Sequence, residues 1–140
     1  MNLVFGQDDA VAKYVGDNIA VPMVPPYVAI GGTRDGQTLC IGVVFNQYNG
    51  SNIEISLYGP RGLTRGNIRG IYDYAFKQLG VNRVTANTRR SNKRMQRMLP
   101  KFGFKFEGIS ARYFGPTKAD DAIRFVLFPE DAEKRITHYG

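Results

Sequence analysis

The chain predicts an α+β fold: a mostly antiparallel sheet with helices packed on it and one parallel strand pair. Three observations predict it. Short alternating runs are separated by Asp35-Gly36 and Asn49-Gly50, dipeptides that favour tight hairpin turns. Two longer segments carry apolar residues at helical spacing. Two strand-like runs, Asn52–Leu57 and Val81–Thr88, are joined through the first of those helices. A strand–helix–strand crossover of this kind lays its strands parallel.

Taken in order, Met1–Phe5 reads as a short first strand. Gln7 to about Ile19 reads as a helix, with Val11, Tyr14, Val15 and Ile19 on one face and Asp8 or Asp9 capping its start. Val21-Pro22-Met23-Val24-Pro25-Pro26 cannot be helix interior, because each Pro removes a donor and clashes with the preceding turn. That stretch is expected to be a connecting loop beside the functional site. Tyr27–Gly31 and Thr38–Phe45 then form a hairpin, and Asn49-Gly50 turns the chain into Asn52–Leu57.

The first long helix places Ile68, Ile71, Tyr72, Ala75, Phe76 and Leu79 on one face, and Gly80 closes it. After the strand Val81–Thr88, Ser91 or Asn92 caps a second helix with Met95, Met98, Leu99 and Phe102 on one face. Pro100 should kink or tighten its last turn. Phe104–Phe114 and Ala122–Phe128 close the sheet as a hairpin. The alternation of Phe102, Phe104 and Phe106 suggests core packing rather than base stacking, and His138 falls on a tail.

At 140 residues the chain is expected to be one domain spanning 1–140, and 43% hydrophobic content argues for a folded globule. Cys40 is the only cysteine, so no internal disulfide can form; a reducing compartment such as the cytoplasm is expected. With His138 the only histidine, neither a Ser-His-Asp triad nor a histidine–cysteine metal cluster can be assembled, and no metal is expected. No secretory leader is visible, and no apolar run approaches the roughly 18 residues of a membrane span. The net charge of +7 is uneven: residues 61 to 105 hold twelve Lys and Arg against one acid, Asp73. So local a block points to an anionic ligand or a solvated helical face.

The junction between Asn52–Leu57 and the first long helix carries the chemistry. It reads Gly59-Pro60-Arg61-Gly62-Leu63-Thr64-Arg65-Gly66-Asn67. Small residues and unpaired N–H groups opening a helix make a site for a phosphate-bearing ligand. Further on come Asp73-Tyr74-Ala75-Phe76, Leu79-Gly80-Val81-Asn82-Arg83-Val84, Asn92, Gly103-Phe104, Glu107-Gly108 and Arg112.

Together these residues resemble the GNAT N-acetyltransferase superfamily, and most its ribosomal-protein N-acetyltransferase branch. The resemblance is carried by residues 52 to 108; the flanks share only the element order. In the family's acetyl-CoA motif the central Gly matches Gly62, while Gly59 stands where a basic residue leads and Thr64 where a small residue closes. The resemblance implies the GNAT fold: a mixed, mostly antiparallel sheet with a splayed parallel central pair and helices on both faces. It also implies acetyl-CoA as cofactor and transfer of the acetyl group to a primary amine by direct attack.

On that resemblance, the pyrophosphate would meet backbone N–H groups from Arg61, Gly62, Leu63, Thr64, Arg65, Gly66 and Asn67, with Arg61 and Arg65 charge to charge. The backbone of Ser56 or Leu57 would hold the thioester carbonyl. Asn92 would contact the pantetheine arm or fix its strand end, and Arg89, Arg90, Lys93 and Arg97 could reach the adenosine phosphates. Glu54 is the first candidate for general base and Glu107 the second. The family's usual acid, a Tyr, falls at Leu99 here, so Tyr113 is taken as the candidate proton donor.

The acceptor, protein or small molecule, is left open, because it is set by loops such as Val21–Pro26 and Gly115–Asp121. The chain is short for the family, which implies a pared-down acceptor side or a homodimer that completes it. Two other readings stand beside this one. The first is a GNAT-fold protein without catalysis that binds acyl-CoA or a partner. The second, nucleic-acid binding through the basic block, is disfavoured because the block coincides with the cofactor turn and lacks a stacking motif.

Overall fold

The computed structural model describes residues 2–59 and 65–139. Seven strands make one sheet: β1 (Asn2–Val4), β2 (Val28–Thr33), β3 (Leu39–Asn46), β4 (Asn52–Tyr58), β5 (Arg83–Arg89), β6 (Lys105–Ser110) and β7 (Ala122–Leu127). Their spatial order is β1-β2-β3-β4-β5-β7-β6. Every neighbouring pair is antiparallel except β4 with β5, which run parallel as the crossover rule requires. The helices are α1 (Asp8–Ile19), α2 (Arg65–Tyr72), α3 (Lys93–Lys101) and α4 (Pro129–Tyr139).

Turn chemistry sets the hairpins. Asp35 Oδ1 accepts from the N–H groups of Gln37 and Thr38 at 2.8 and 2.7 Å, and Asn49 Oδ1 accepts from Ser51 and Asn52 at 3.0 and 2.7 Å. Such side-chain bonds to the following backbone are what Asx residues supply in turns.

Strand alternation then divides the core between the two faces of the sheet. Ile53, Ile55 and Leu57 of β4 point to one face and join Ile68, Ile71, Leu99 and Ala132 from α2, α3 and α4. Val44 and Ala29 point to the other, under Val11, Ala12 and Val15 of α1. Helix α1 can lie this close because β3 carries Gly42; a Cβ there would sit 2.6 Å from Val15 Cγ2.

Several local expectations are revised. Neither Asp8 nor Asp9 caps α1, whose N-cap is Gln7 with no side-chain bond. Instead Asp8 Oδ1 accepts from the Ala29 N–H at 3.1 Å and Asp9 Oδ1 from the Tyr27 hydroxyl at 2.6 Å, so both acids tie α1 to β2 and the residue before it. The first long helix is α only to Tyr72 and continues as a π-helix over Asp73–Gln78, where the Leu79 N–H reaches back to Tyr74 O at 2.9 Å. Gly80 closes it at φ +69°, a conformation that costs glycine little.

Of Ser91 and Asn92, Asn92 is the cap of α3. Pro100 tightens the last turn, since the N–H groups of Phe102 and Gly103 reach back three residues to Leu99 O and Pro100 O. Phe104 is buried, but Phe106 is 62% exposed on the edge strand β6, so the phenylalanine alternation is only partly core. The expected tail after β7 is α4, with Glu130 and Asp131 in its first turn, where the helix dipole favours acids.

Candidate active site

The β4–β5 seam is zipped at one end and open at the other. Paired residues run from Asn52 with Arg83 to Ile55 with Ala86. Beyond that point β4 continues to Tyr58, still paired with Gly42 of β3, and β5 continues to Arg89, still paired with Ala122 of β7. Each strand keeps its outer neighbour while parting from the other. A cavity of about 220 Å³ occupies the fork; its walls include Ser56, Leu57, Tyr58, Asn87, Asn92 and Leu99. Buried backbone polar groups are normally paired, so strand edges facing one another across a cavity invite a ligand to complete them.

On the face opposite the α2 and α3 core, β4 presents Asn52, Glu54 and Ser56. Thr85 Oγ1 donates to Asn52 Oδ1, and one residue pair further up Asn87 Nδ2 donates to Glu54 Oε1. Arg124 of β7 extends the row: its Nε donates to Asn87 Oδ1 at 3.3 Å and its Nη2 to Ser110 Oγ at 3.2 Å. Glu54 is therefore half-buried, oriented by a side-chain amide, and next to the fork. Tyr113 is half exposed and packs its ring edge-on against Phe114 at 4.9 Å. Burial first and the Glu54 charge second push its phenol pKa up, against the opposing pull of Arg124.

Arg89 ends β5 as a clamp. Its Nη1 donates to Asp120 Oδ1 at 2.9 Å and its Nη2 to Ala20 O at 2.8 Å, while its guanidinium lies 5.0 Å from the centre of the Phe114 ring. One side chain thus joins the C-terminal end of α1 to the β6–β7 connection across the mouth of the fork. Arg90 donates to Asp121 Oδ2 at 3.2 Å. Arg89 is committed internally, which corrects the expectation that it reaches outward to phosphates, while Arg90 spends one nitrogen on Asp121 and stays about one-third exposed.

Part of the basic block is neutralised in the same way. Arg83, Arg89, Arg90 and Lys105 pair with Glu107, Asp120, Asp121 and Asp131, acids that follow the block in the chain. Glu107 is no base candidate either. Arg83 holds it with both guanidinium nitrogens at the closed start of β5, and that hydrogen bonding keeps its carboxyl below the usual range.

Of the other sequence candidates, Ser56 and Leu57 line the fork. Asn92 lines it too, and its Oδ1 accepts from the Met95 N–H at 3.2 Å, so it caps α3 beside the cavity. Leu99, at the expected tyrosine position, is 1% exposed and forms apolar wall. Arg97 is exposed on α3. Arg65, Gly66 and Asn67 open α2, and Asn67 is buried. Arg61, Gly62, Leu63 and Thr64 lie outside the described residues.

Of the Val21–Pro26 loop, Val21 lines the fork, while Val24, Pro25 and Pro26 line a separate groove with Tyr48 and Phe45. The sequence reading missed Asn87, Arg124, Tyr58 and Phe114. Asn87 had a signal, since Thr85 and Asn87 alternate along β5 in step with Asn52 and Glu54 on β4.

The forked parallel pair, helices on both faces and an α2 N-terminus following β4 define an acyltransferase architecture. Residues 7–105 match the acetyltransferase (GNAT) domain family, and the chain belongs to it. It is an acetyl-CoA-dependent acyltransferase. No curated protein matches the chain in sequence.

Among solved structures, mutant forms of the spermidine/spermine N-acetyltransferase of Vibrio cholerae are similar with a TM-score of 0.73 at 14% identity, over 96% of this chain and 98% of that one. A dodecameric structure of spermidine N-acetyltransferase from Vibrio cholerae gives 0.65 at 18%, over 91% and 75%. A Salmonella typhimurium protein solved with its cofactor acetyl-CoA gives 0.65 at 14%, over 91% and 93%. At such identities the likeness concerns the fold. The fork itself fits the cofactor: it is a slot between strand edges, apolar on the α3 side through Met95 and Leu99, at the end of β4 where α2 begins. Among the described residues no helix is long and apolar enough to cross a membrane.

Proposed function

We propose that this chain is an N-acetyltransferase that moves the acetyl group of acetyl-CoA to a primary amine by direct attack. The observation that carries the reading is the fork beyond Ile55 and Ala86 with Glu54 beside it. Bound acetyl-CoA supplies the acetyl group as an activated thioester. The backbone of Ser56 or Leu57 would hold the carbonyl oxygen as charge develops there. Arg65, Gly66 and Asn67 would offer main-chain amides to the pyrophosphate at the start of α2. Asn92 would contact the pantetheine arm or fix the strand end beside it, and Arg97 would reach the adenosine phosphates.

Glu54 takes a proton from the amine, directly or through one water, and Asn87 orients it for that task. Tyr113, whose phenol pKa is raised by burial and then by the Glu54 charge, would be the proton donor for the leaving thiolate. The resemblance to the ribosomal-protein branch over residues 52 to 108 supports a protein amine as acceptor. The spermidine enzymes among the structural neighbours support a small amine and an assembly larger than the monomer. The lone cysteine, half-buried with its thiol toward Gly32 O at 3.4 Å, suits a reducing compartment such as the cytoplasm.

The test is thermal unfolding with acetyl-CoA and CoA, run beside thiol release from acetyl-CoA in the presence of primary amines. Ligand at 100 times its dissociation constant adds about 2.7 kcal/mol, and Gly62→Glu should abolish that gain. Stabilisation without amine-dependent thiol release would instead favour a binding protein of the same fold.

A further inference from the structure

The acceptor mouth of the fork lies on the Glu54 face, where the end of α1 meets the β6–β7 connection. Its lips are Ile19 and Val21 on one side and Phe114 on the other. Acids exist nearby, but the fold has used them. Asp120 accepts from Arg89 and from the N–H and hydroxyl of Thr117. Asp121 accepts from Arg90 and from the Arg112 N–H. Among the described residues around the mouth, Glu54 is the carboxylate oriented only by a neutral amide, and Arg124 stands two hydrogen bonds away from it.

A polycation entering this mouth would bring a second and third ammonium past two apolar lips and two fixed arginines. Each desolvated ammonium needs its own acidic partner. Inside the mouth there is one to give; Asp17, beside the Val21 lip, lies exposed and already paired with Lys13. An amine with one charge and an apolar body meets no such penalty, since its ammonium faces Glu54 and its body lies along Ile19, Val21 and the Phe114 ring, which Arg89 holds in place.

Resting on the amine-transfer reading above, we infer that the acceptor is a primary amine carrying a single positive charge and an apolar body, and that polyamines are poor acceptors. That chemistry has two sources: a small free amine and the N-terminus of a chain beginning with an apolar residue.

The experiment measures thiol release from acetyl-CoA with benzylamine, phenylalaninamide and spermidine at equal ionic strength. The kcat/KM of benzylamine or phenylalaninamide should exceed that of spermidine by about tenfold or more. Preference for benzylamine assigns the small-amine source, and preference for phenylalaninamide the chain N-terminus. Spermidine turned over as fast as either overturns the inference. Val21→Asp, which adds a carboxylate to the lip, should raise the spermidine-to-benzylamine ratio roughly fivefold, as for a partly exposed ion pair. An unchanged ratio in a variant still stabilised by acetyl-CoA also overturns it. If acetyl-CoA stabilises the wild-type chain and none of the three amines releases thiol, the amine-transfer reading falls and this inference with it.

Discussion

The two ends of the β4–β5 seam are made of the same two strands and do opposite things. From Asn52 to Ile55 the backbones pair, Ile53 and Ile55 are buried, and the side chains Thr85–Asn52 and Asn87–Glu54 bridge the strands on the outer face. From Ser56 to Tyr58 the alternation goes on unchanged, with Leu57 still buried, yet the strands have parted. Nothing in the alternation marks the change. What differs is that β3 and β7 keep hold of the outer edges of β4 and β5, while Arg89 ties the far end of β5 to α1 and Asp120. The closed end stores stability and aims Glu54; the open end forgoes ladder bonds and leaves room for a cofactor.

Four substitutions would break or sharpen that contrast. Glu54→Gln, where the two ends meet, should lower kcat/KM by about 10²–10⁴, the usual worth of a positioned base, while acetyl-CoA still stabilises the protein. An unaltered kcat/KM would remove Glu54 from the chemistry and leave the closed end purely structural. Ile55→Ala, inside the closed end at 2% exposure, should cost about 2–5 kcal/mol of stability in a urea titration; a cost under about 1 kcal/mol would mean the seam is loosely packed throughout.

Asn92→Ala, at the open end, should lose about 1 kcal/mol through the missing cap bond to Met95. It should also weaken acetyl-CoA stabilisation, which a cap with no part in the fork would leave unchanged.

The smallest effect belongs to Glu107→Gln at the start of β5. Its side chain is about one-third exposed, so the Arg83 pair is worth roughly 0.5–1 kcal/mol after solvent screening. Since Arg83 depresses the folded pKa, that contribution is present above the ordinary carboxylate range and is lost as pH falls through the lower folded value. Wild type should therefore exceed Glu107→Gln in stability at neutral pH, and the gap should close at acid pH. A gap that persists at low pH would assign the effect to something other than the ion pair.

Residue order predicts this fold where contacts are local and fails where partners are distant. Asp35-Gly36 and Asn49-Gly50 place the hairpins because the turn and its side-chain bonds are local. The parallel pair follows from one crossover. Arg89 and Arg90 read as outward cations, because their partners Asp120 and Asp121 are about thirty residues away. Glu107 reads as a base candidate until Arg83 is seen beside it. Asp8 and Asp9 read as caps, whereas distance in space, not in sequence, brings them Ala29 and Tyr27.

Amino-acid order alone located the strands, their apolar faces and the start of α3 at Ser91 or Asn92, because these depend on neighbours within about a dozen residues or on periodicity. Tertiary structure alone decided that the seam opens past Ile55, that Asn87 and Arg124 converge on Glu54, and which charges remain for a substrate. Those outcomes depend on which strands grip the outer edges of β4 and β5 and on which distant acid meets each arginine, and contacts of that kind exist only once the chain has closed on itself.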